Sequence, residues 1–387
     1  MNEPSREQPA GKDIQSITDL LRRAGSQRFL EPLAEDLGLA EPHHYPFLAL
    51  VGQRQMKLAL LLSVINPSIG GVLLIGPRGT GKTTAVRGLA PLLPSVERSR
   101  CPYGCLPEDI QTGGMDAVCP DCAKRYGEND PLTYSDSVHI VELPLNARLP
   151  DVIGELKESG GSHVRMRIQR GILSRADQNI LFVDEINLLE ADIANAMLDA
   201  AAQGSYAVHR GRQVATYRSR FSLIGSMNPE EGSLRPQILD RFGLRVIVEG
   251  LATCEERDEA YQRTLAYRTN PLLFQQQYQS FTEQIRNEIQ SIQARLGDVK
   301  FLRKTKQAGL DLIHALGIHS LRAEVTLFEA ARAYTLAEGR KLVQLKDLAS
   351  VAPMALCMRR SEYMQVFLAS QKKEKEDILG LLDQVTP

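Results

Sequence analysis

In 70-GGVLLIGPRGTGKTTAVRGLAPLL-93 a short apolar run bounded by glycines gives way to a glycine-rich turn and then to a helix-compatible segment. The turn, 76-GPRGTGKT-83, matches G-x-x-x-x-G-K-[ST] at every fixed position. Glycines at those positions let backbone N–H groups curl around phosphate oxygens, and the helix that follows presents its positive end to them. The pattern assigns Gly76, Pro77, Arg78, Gly79, Thr80, Gly81, Lys82, Thr83 and Thr84 to binding ATP. Lys82 supplies a point charge for the β and γ phosphates, and the Thr83 hydroxyl is a ligand for Mg²⁺. Just upstream, VLLI has the make-up of a strand buried on both faces. Further runs of that kind occur at 180-ILFVDE-185, 221-FSLIGSMN-228 and 244-LRVIVEG-250, with helical patterns such as 190-EADIANAMLDAAAQG-204 between them. Strands alternating with helices predict an α/β fold, a parallel sheet with flanking helices.

The ends of these runs carry chemistry. Asp184 and Glu185 close the second run, and two carboxylates at the end of a buried strand are costly unless they face a cation or a reacting water. Asp184 then serves Mg²⁺ through its water shell, and Glu185 polarises the water that attacks the γ-phosphate. An ordinary strand-end turn is the competing explanation. Asn228 ends the third run, where its neutral amide can bond both water and phosphate, although an Asn before Pro229 also suits a plain turn. In 235-RPQILDRFGL-244, Arg241 has no obvious role within its own chain and is available to a neighbouring subunit's γ-phosphate; a solvated side chain is the alternative.

Working outward, 46-PFLALVGQRQMKLALLLSVINP-67 reads as a lead-in loop and a largely buried helix closed by Pro67. Residues 1–13 read as a loose polar tail, and the apolar spacing from Ile14 to Leu39 suggests a short helix or two. Beyond residue 250 the chain is rich in Glu, Gln, Lys, Arg, Leu and Ala, the composition of a bundle of amphipathic helices that includes Glu283–Arg295, Lys304–Leu316 and Arg322–Glu338. The expected domains are therefore 1–45, 46–250 and 251–387. With 46 Lys+Arg against 47 Asp+Glu, the net charge of −1 argues against a generally basic nucleic-acid surface. No apolar run approaches the ~20 residues that cross a bilayer, and the N-terminus lacks the apolar stretch of an export signal, which together predict a cytoplasmic protein.

The order of phosphate loop, VDE strand, SMNP strand end and LDRFG resembles an AAA+ ATPase, and more narrowly the ATPase I subunit of magnesium chelatase. The blocks 46–94, 180-ILFVDEINLLE-190, 223-LIGSMNPEEGSLRPQILDRFGL-244 and 321-LRAEVTLFEAARAYTLAEG-339 carry that resemblance, which runs from about residue 45 to 360. It implies an AAA+ core with a C-terminal α-helical lid, Asn228 as the sensor-1 residue, Arg241 as an arginine finger acting in trans and Arg322 as the sensor-2 arginine, on a helix folding over the nucleotide. It further implies a homo-oligomeric ring, a hexamer, working with a D subunit and a porphyrin-binding H subunit to insert Mg²⁺ into protoporphyrin IX. A cobalt chelatase motor, or a related ATPase that remodels a metalloenzyme or an integrin-domain partner, are the alternatives. The family also predicts two insertions in the core, one between Pro144 and Arg175 and one at 204-GSYAVHRGRQVATYRSRF-221; the second reads independently as a β-hairpin turning at His209–Arg212.

One feature goes beyond these motifs. Cys101-x₃-Cys105-x₁₃-Cys119-x₂-Cys122 contains two Cys-Pro turns, each presenting a pair of thiols. The spacing approximates a two-knuckle tetrahedral S₄ site for structural Zn²⁺, one residue wide in its first knuckle. An iron–sulfur cluster, a redox-active dithiol and unligated thiols are the alternatives. The seven histidines make no comparable ligand set.

Overall fold

The structure, a computed structural model, describes residues 44–101, 103–159, 165–210, 213–360 and 370–371. The helices suggested between Ile14 and Leu39 lie outside them. Helix α1 (Arg54–Ile65) precedes strand β1 (Val72–Ile75), and α2 (Lys82–Arg87) follows the phosphate loop. An excursion then leaves the core through β2 (Ser95–Ser99), α3 (Pro107–Gly113), α4 (Pro120–Gly127) and the returning β3 (Thr133–Ser137), which pairs antiparallel with β2. Next come β4 (Ile140–Glu142), the hairpin β5 (Gly154–Ser159) and β6 (Arg165–Arg170), and β7 (Ile180–Val183). Helix α5 (Ala191–Gln203) leads to a second hairpin, β8 (Ser205–Arg210) and β9 (Gln213–Arg218), and then to β10 (Ser222–Met227) and β11 (Leu244–Ile247). The two hairpins occupy the two stretches expected to be insertions.

Five strands form the central sheet in the order β11-β1-β10-β7-β4, all parallel. Each of the four apolar runs supplies one strand, and β4 is an addition that sequence patterning did not single out. Alternation along β1 sorts its side chains: Val72 and Leu74 join the hydrophobic cluster on one face, Leu73 and Ile75 the cluster on the other. Gly71 is required at the start of β1. Its φ is +91°, and a Cβ there would lie 2.3 Å from the carbonyl oxygen of Leu223 on β10.

Among the described residues from Cys254 onward the chain is mainly helical, with α6 (Cys254–Thr269), α7 (Pro271–Arg295), α8 (Arg303–Ala315), α9 (Arg322–Ala337) and α10 (Leu345–Leu356), and one short parallel ladder between Lys300–Phe301 and Leu342–Val343. The Thr253 and Asn270 side chains cap α6 and α7 by accepting from Glu256 N and Leu273 N. The buried stripe of α7, Phe274, Tyr278, Ile285, Ile289 and Ile292, shares one cluster with α1 and the near face of the sheet. Helix α9 packs on α1 and on the turn Pro67–Ile69, at the amino ends of the strands. That placement fixes where Arg322 can act.

Candidate functional site

The carboxyl ends of β1, β7 and β10 converge on the phosphate loop. Gly76 allows that approach, since a Cβ there would lie 2.0 Å from the Val248 carbonyl oxygen. Gly79 and Gly81 take φ of +79° and +83°, and a Cβ on Gly79 would meet nothing within 4 Å, so the loop encloses open space rather than packed side chains. Lys82 is 8% exposed, and its Nζ donates to the Gly76 and Pro77 carbonyls at 2.7 and 2.8 Å. Burial lowers its pKa, an effect opposed by Asp184, Glu185 and Glu231. An ammonium held by neutral carbonyls and facing three carboxylates is short of anionic partners at close range, which suits a phosphate ligand.

Thr83 Oγ1 donates to Asp184 Oδ2 at 2.9 Å, bringing together the two residues expected to serve Mg²⁺. Ser226 Oγ donates to the other oxygen of Asp184 and accepts from Glu185 N at 3.2 Å. Glu185 itself takes φ +51°, a left-handed conformation that non-glycine residues seldom adopt and that turns its carboxylate out of the strand direction. Its Oε1 lies 3.4 Å from Arg78 Nη2, which also pairs with Glu231. Hard oxygen ligands from a hydroxyl and a carboxylate, beside a phosphate cradle, fit Mg²⁺. Asn228 is buried at the end of β10, and its side chain accepts from Glu230 N at 3.3 Å. It thus caps its own turn, the alternative weighed for it from sequence, while standing at the rim of the same site.

Residues that sequence reasoning missed complete the cleft. About 960 Å³ of space opens beside Gly79–Thr84, walled by Tyr45, Leu50, Val51, Leu251 and Tyr267. These apolar walls come from the lead-in loop, from the connection after β11 and from α6, and they suit a planar base next to the triphosphate. Ser226 was also missed; its only sequence signal is a hydroxyl in the strand adjacent to Asp184.

Two expected residues lie elsewhere. Arg241 and Arg322 are at the amino ends of the strands, across the sheet from the phosphate loop, around a hollow of about 340 Å³. Arg322 Nη1 donates to Asp240 Oδ2 at 2.8 Å and to the Asp240 carbonyl at 2.9 Å. The expectation that its helix folds over the nucleotide does not hold within one subunit, where α9 is anchored on α1 and Pro67–Ile69. No hydrogen bond or ion pair of the Arg241 side chain occurs among the described residues, and the loop carrying it is fixed by Phe242, which is fully buried.

The four thiols also meet. Cys101, Cys105, Cys119 and Cys122 place their sulfurs within 4.8 Å of one another, and none is in a disulfide. A tetrahedron with metal–sulfur bonds of about 2.3 Å has edges of about 3.8 Å, so modest inward rotation of the side chains would close it. Cys105 N donates to Cys101 Sγ at 3.3 Å and Cys119 N to Cys105 Sγ at 3.4 Å, backbone bonds that stabilise thiolates in a metal site. Arg218, in the second hairpin, donates to Asp109 of the excursion at 2.7 and 2.8 Å. Of the other arginines in that stretch, Arg220 N donates to Asp177, and the side chains of Arg210 and Arg212 lie outside the described residues.

Comparison with known proteins agrees with this geometry. Residues 159–249 match the family model "Magnesium chelatase, subunit ChlI", and residues 310–379 match "AAA lid domain". The chain is 38% identical to a magnesium-chelatase subunit ChlI homolog from Methanocaldococcus jannaschii, over 86% of this chain and 90% of that one. It is 40% identical to the magnesium-chelatase 38 kDa subunit of Rhodobacter capsulatus, over 81% of this chain and 87% of the relative. The crystal structure of a candidate ATPase from Cytophaga hutchinsonii, 20% identical, superposes with a TM-score of 0.52 over 86% of this chain and 90% of that one, a likeness of fold.

Proposed function

This chain belongs to the magnesium chelatase subunit I family, and on that premise we propose that it is the ATP-hydrolysing AAA+ motor subunit of a magnesium chelatase, driving Mg²⁺ insertion into protoporphyrin IX. One observation carries the reading: Thr83, Asp184 and Glu185 gather beside a complete phosphate loop, in a chain that aligns along most of its length with chelatase motor subunits. Residues 46–250 are the ATPase core, 251–387 the helical lid, and 1–45 precede both.

Thr83 Oγ1 and Asp184 would hold Mg²⁺, which would supply charge neutralisation for the β and γ phosphates. Lys82 exchanges its two carbonyl partners for phosphate oxygens. Glu185 orients the attacking water and draws its proton, while Ser226 keeps the neighbouring Asp184 in place. The Asn228 amide holds the same water against the γ-phosphate. Arg241 and Arg322 serve the nucleotide of the next subunit, a reading supported by their position at the opposite strand ends. The assembly is a homo-hexameric ring acting on a D subunit and on a porphyrin-binding H subunit, with no nucleic-acid partner. Among the described residues no helix is long and apolar enough to cross a membrane.

The reading extends to Cys101, Cys105, Cys119 and Cys122 as the ligands of one structural Zn²⁺; undiminished zinc in Cys119→Ser would end it. For the motor, the pure protein is mixed with H and D subunits, Mg²⁺, ATP and protoporphyrin IX. ATP-dependent Mg-porphyrin fluorescence is expected. Its absence with ATP hydrolysis intact would replace the chelatase reading with a remodelling ATPase.

A further inference from the structure

The excursion between β2 and β3 is too poor in apolar side chains to fold alone. Among the described residues its hydrophobic cluster buries Cys101, Cys105, Cys122 and Leu132, so three of the four buried groups are thiols. Small modules of this kind reach a stable fold only with a metal or a covalent staple, and metal binding then supplies their folding free energy.

What the module touches is the second hairpin. Arg218 on β9 forms a two-oxygen ion pair with Asp109, with side chains 17% and 24% exposed, and Asp109 also accepts from Leu106 N at 2.8 Å to cap α3. Tyr103, inside the first knuckle, stacks on Tyr217 with centroids 5.7 Å apart, and Tyr217 stacks on Tyr206 across the hairpin at 5.6 Å. Gly104 takes φ +79°, and a Cβ there would lie 3.0 Å from the Arg218 Cβ, so the knuckle backbone sits directly against the hairpin. These contacts are made by residues adjoining the thiols: Tyr103 and Gly104 lie between Cys101 and Cys105, and α3 follows Cys105.

Both elements have separate roots in the core. The β2–β3 ladder closes the base of the module, and Arg98 ties it to Asn179 at 2.9 Å. The hairpin is rooted by Ser219 Oγ donating to the Leu173 carbonyl at 2.8 Å and by Gln178 N donating to the Arg220 carbonyl at 2.7 Å. Neither root includes a thiol, and no residue of the module lines the nucleotide cleft.

We propose that the metal-loaded thiol module is a brace for the β8–β9 hairpin: Zn²⁺ at the four cysteines holds Tyr103 and Asp109 against Tyr217 and Arg218, and metal occupancy thereby sets how firmly the hairpin is held. The inference rests on the zinc reading of the thiols. It assigns the metal to ordering the hairpin and leaves the ATP site assembled without it.

Hydrogen exchange on the full-length protein tests this, with metal content measured on the same samples. One zinc per chain is expected. Stripping it with a chelator under reducing conditions should speed exchange across residues 205–218 by roughly tenfold, leaving β1 and β10 as protected as before. Arg218→Ala and Asp109→Asn should keep the zinc and loosen the hairpin by a similar factor. Unchanged hairpin exchange after zinc removal would overturn the brace while leaving the zinc site standing, as would fast exchange in β1 and β10, which would make the metal a support of the whole core. A protein that neither carries zinc nor takes it up from added Zn²⁺ would overturn the zinc reading itself.

Discussion

If Arg241 serves a neighbour's nucleotide, two differently disabled chains should repair one another. Within one subunit the geometry forbids self-service: Arg241 adjoins Gly70 at the start of β1, whereas the phosphate loop begins after Ile75. Four strand residues at about 3.3 Å each separate the two by ~13 Å before any loop is counted, more than an arginine side chain spans. Glu185→Gln should bind ATP and hydrolyse it very slowly, and Arg241→Ala should lose about three orders of magnitude, the usual worth of such a finger. In a randomly mixed equal pool, half the subunits bring an intact Glu185 and half bring an intact Arg241. About a quarter of the interfaces then combine both, whatever the ring size, because each head-to-tail contact draws its two sides independently. Single-turnover hydrolysis after co-assembly should recover to about a quarter of the wild-type amplitude, against near zero for either variant alone. No recovery, with mixed rings verified, would refute the placement, as would wild-type turnover by Arg241→Ala.

Other consequences follow from particular contacts. Ser226→Ala removes a bond to the Asp184 carboxylate and one from Glu185 N, and at about 1.5–3 kcal/mol for a hydrogen bond to a charged group kcat should fall roughly ten- to hundredfold with nucleotide affinity little changed. Gly71→Ala should cost about 3 kcal/mol or more in urea unfolding, since the new Cβ would sit 2.3 Å from the Leu223 oxygen at a φ of +91°. Asp347 has no exposed surface and accepts from Arg340, Thr335 Oγ1 and Gln344 N. Burial alone would raise its pKa, but those donors hold it below the usual aspartate value. A depressed folded pKa stabilises the protein above the unfolded value, so this contribution should be lost as the pH falls below about 4. Asp347→Asn should flatten that acid limb of the stability curve, and Arg340→Ala should cost about 3 kcal/mol at neutral pH by stranding a buried carboxylate.

The parts legible in the sequence are those whose physics is local. The phosphate loop needs glycines at fixed offsets for its own backbone, and the central strands need unbroken apolar runs because both faces are covered, so each announces itself within a few residues. Helix α7 shows the opposite case. Its second half was visible as Glu283–Arg295, but the first half reads 271-PLLFQQQYQSF-281, where the buried anchors Phe274 and Tyr278 stand in a glutamine-rich stretch. Strand β4 is short enough for its three residues to pass as loop, and only pairing with β7 makes it a strand. Tyr45 and Tyr267 carry no signal of their own, and Ser226 only a hydroxyl in an apolar run; they matter because remote segments meet.

Arg322 separates what a local pattern can and cannot settle. That it opens a helix was readable, and the helix begins at that residue. Its direction was not, because the orientation of α9 depends on the burial of Ala323, Leu327 and Ala330 against α1 and the adjoining turn, a tertiary match with no local signature. The consequence is a polarised subunit. One edge holds the phosphate cradle with Asp184, Glu185 and Glu231; the other holds Arg241, Arg322 and Arg359, with Asp240 paired to only one of them through its side chain. Two edges of opposite character cannot satisfy each other within a monomer, nor in a two-fold dimer that sets like against like. In the proposed ring they would meet head to tail, since a head-to-tail contact that closes is a ring. The ATP site would then be a property of that assembly, for a reason that lies in where one helix packs.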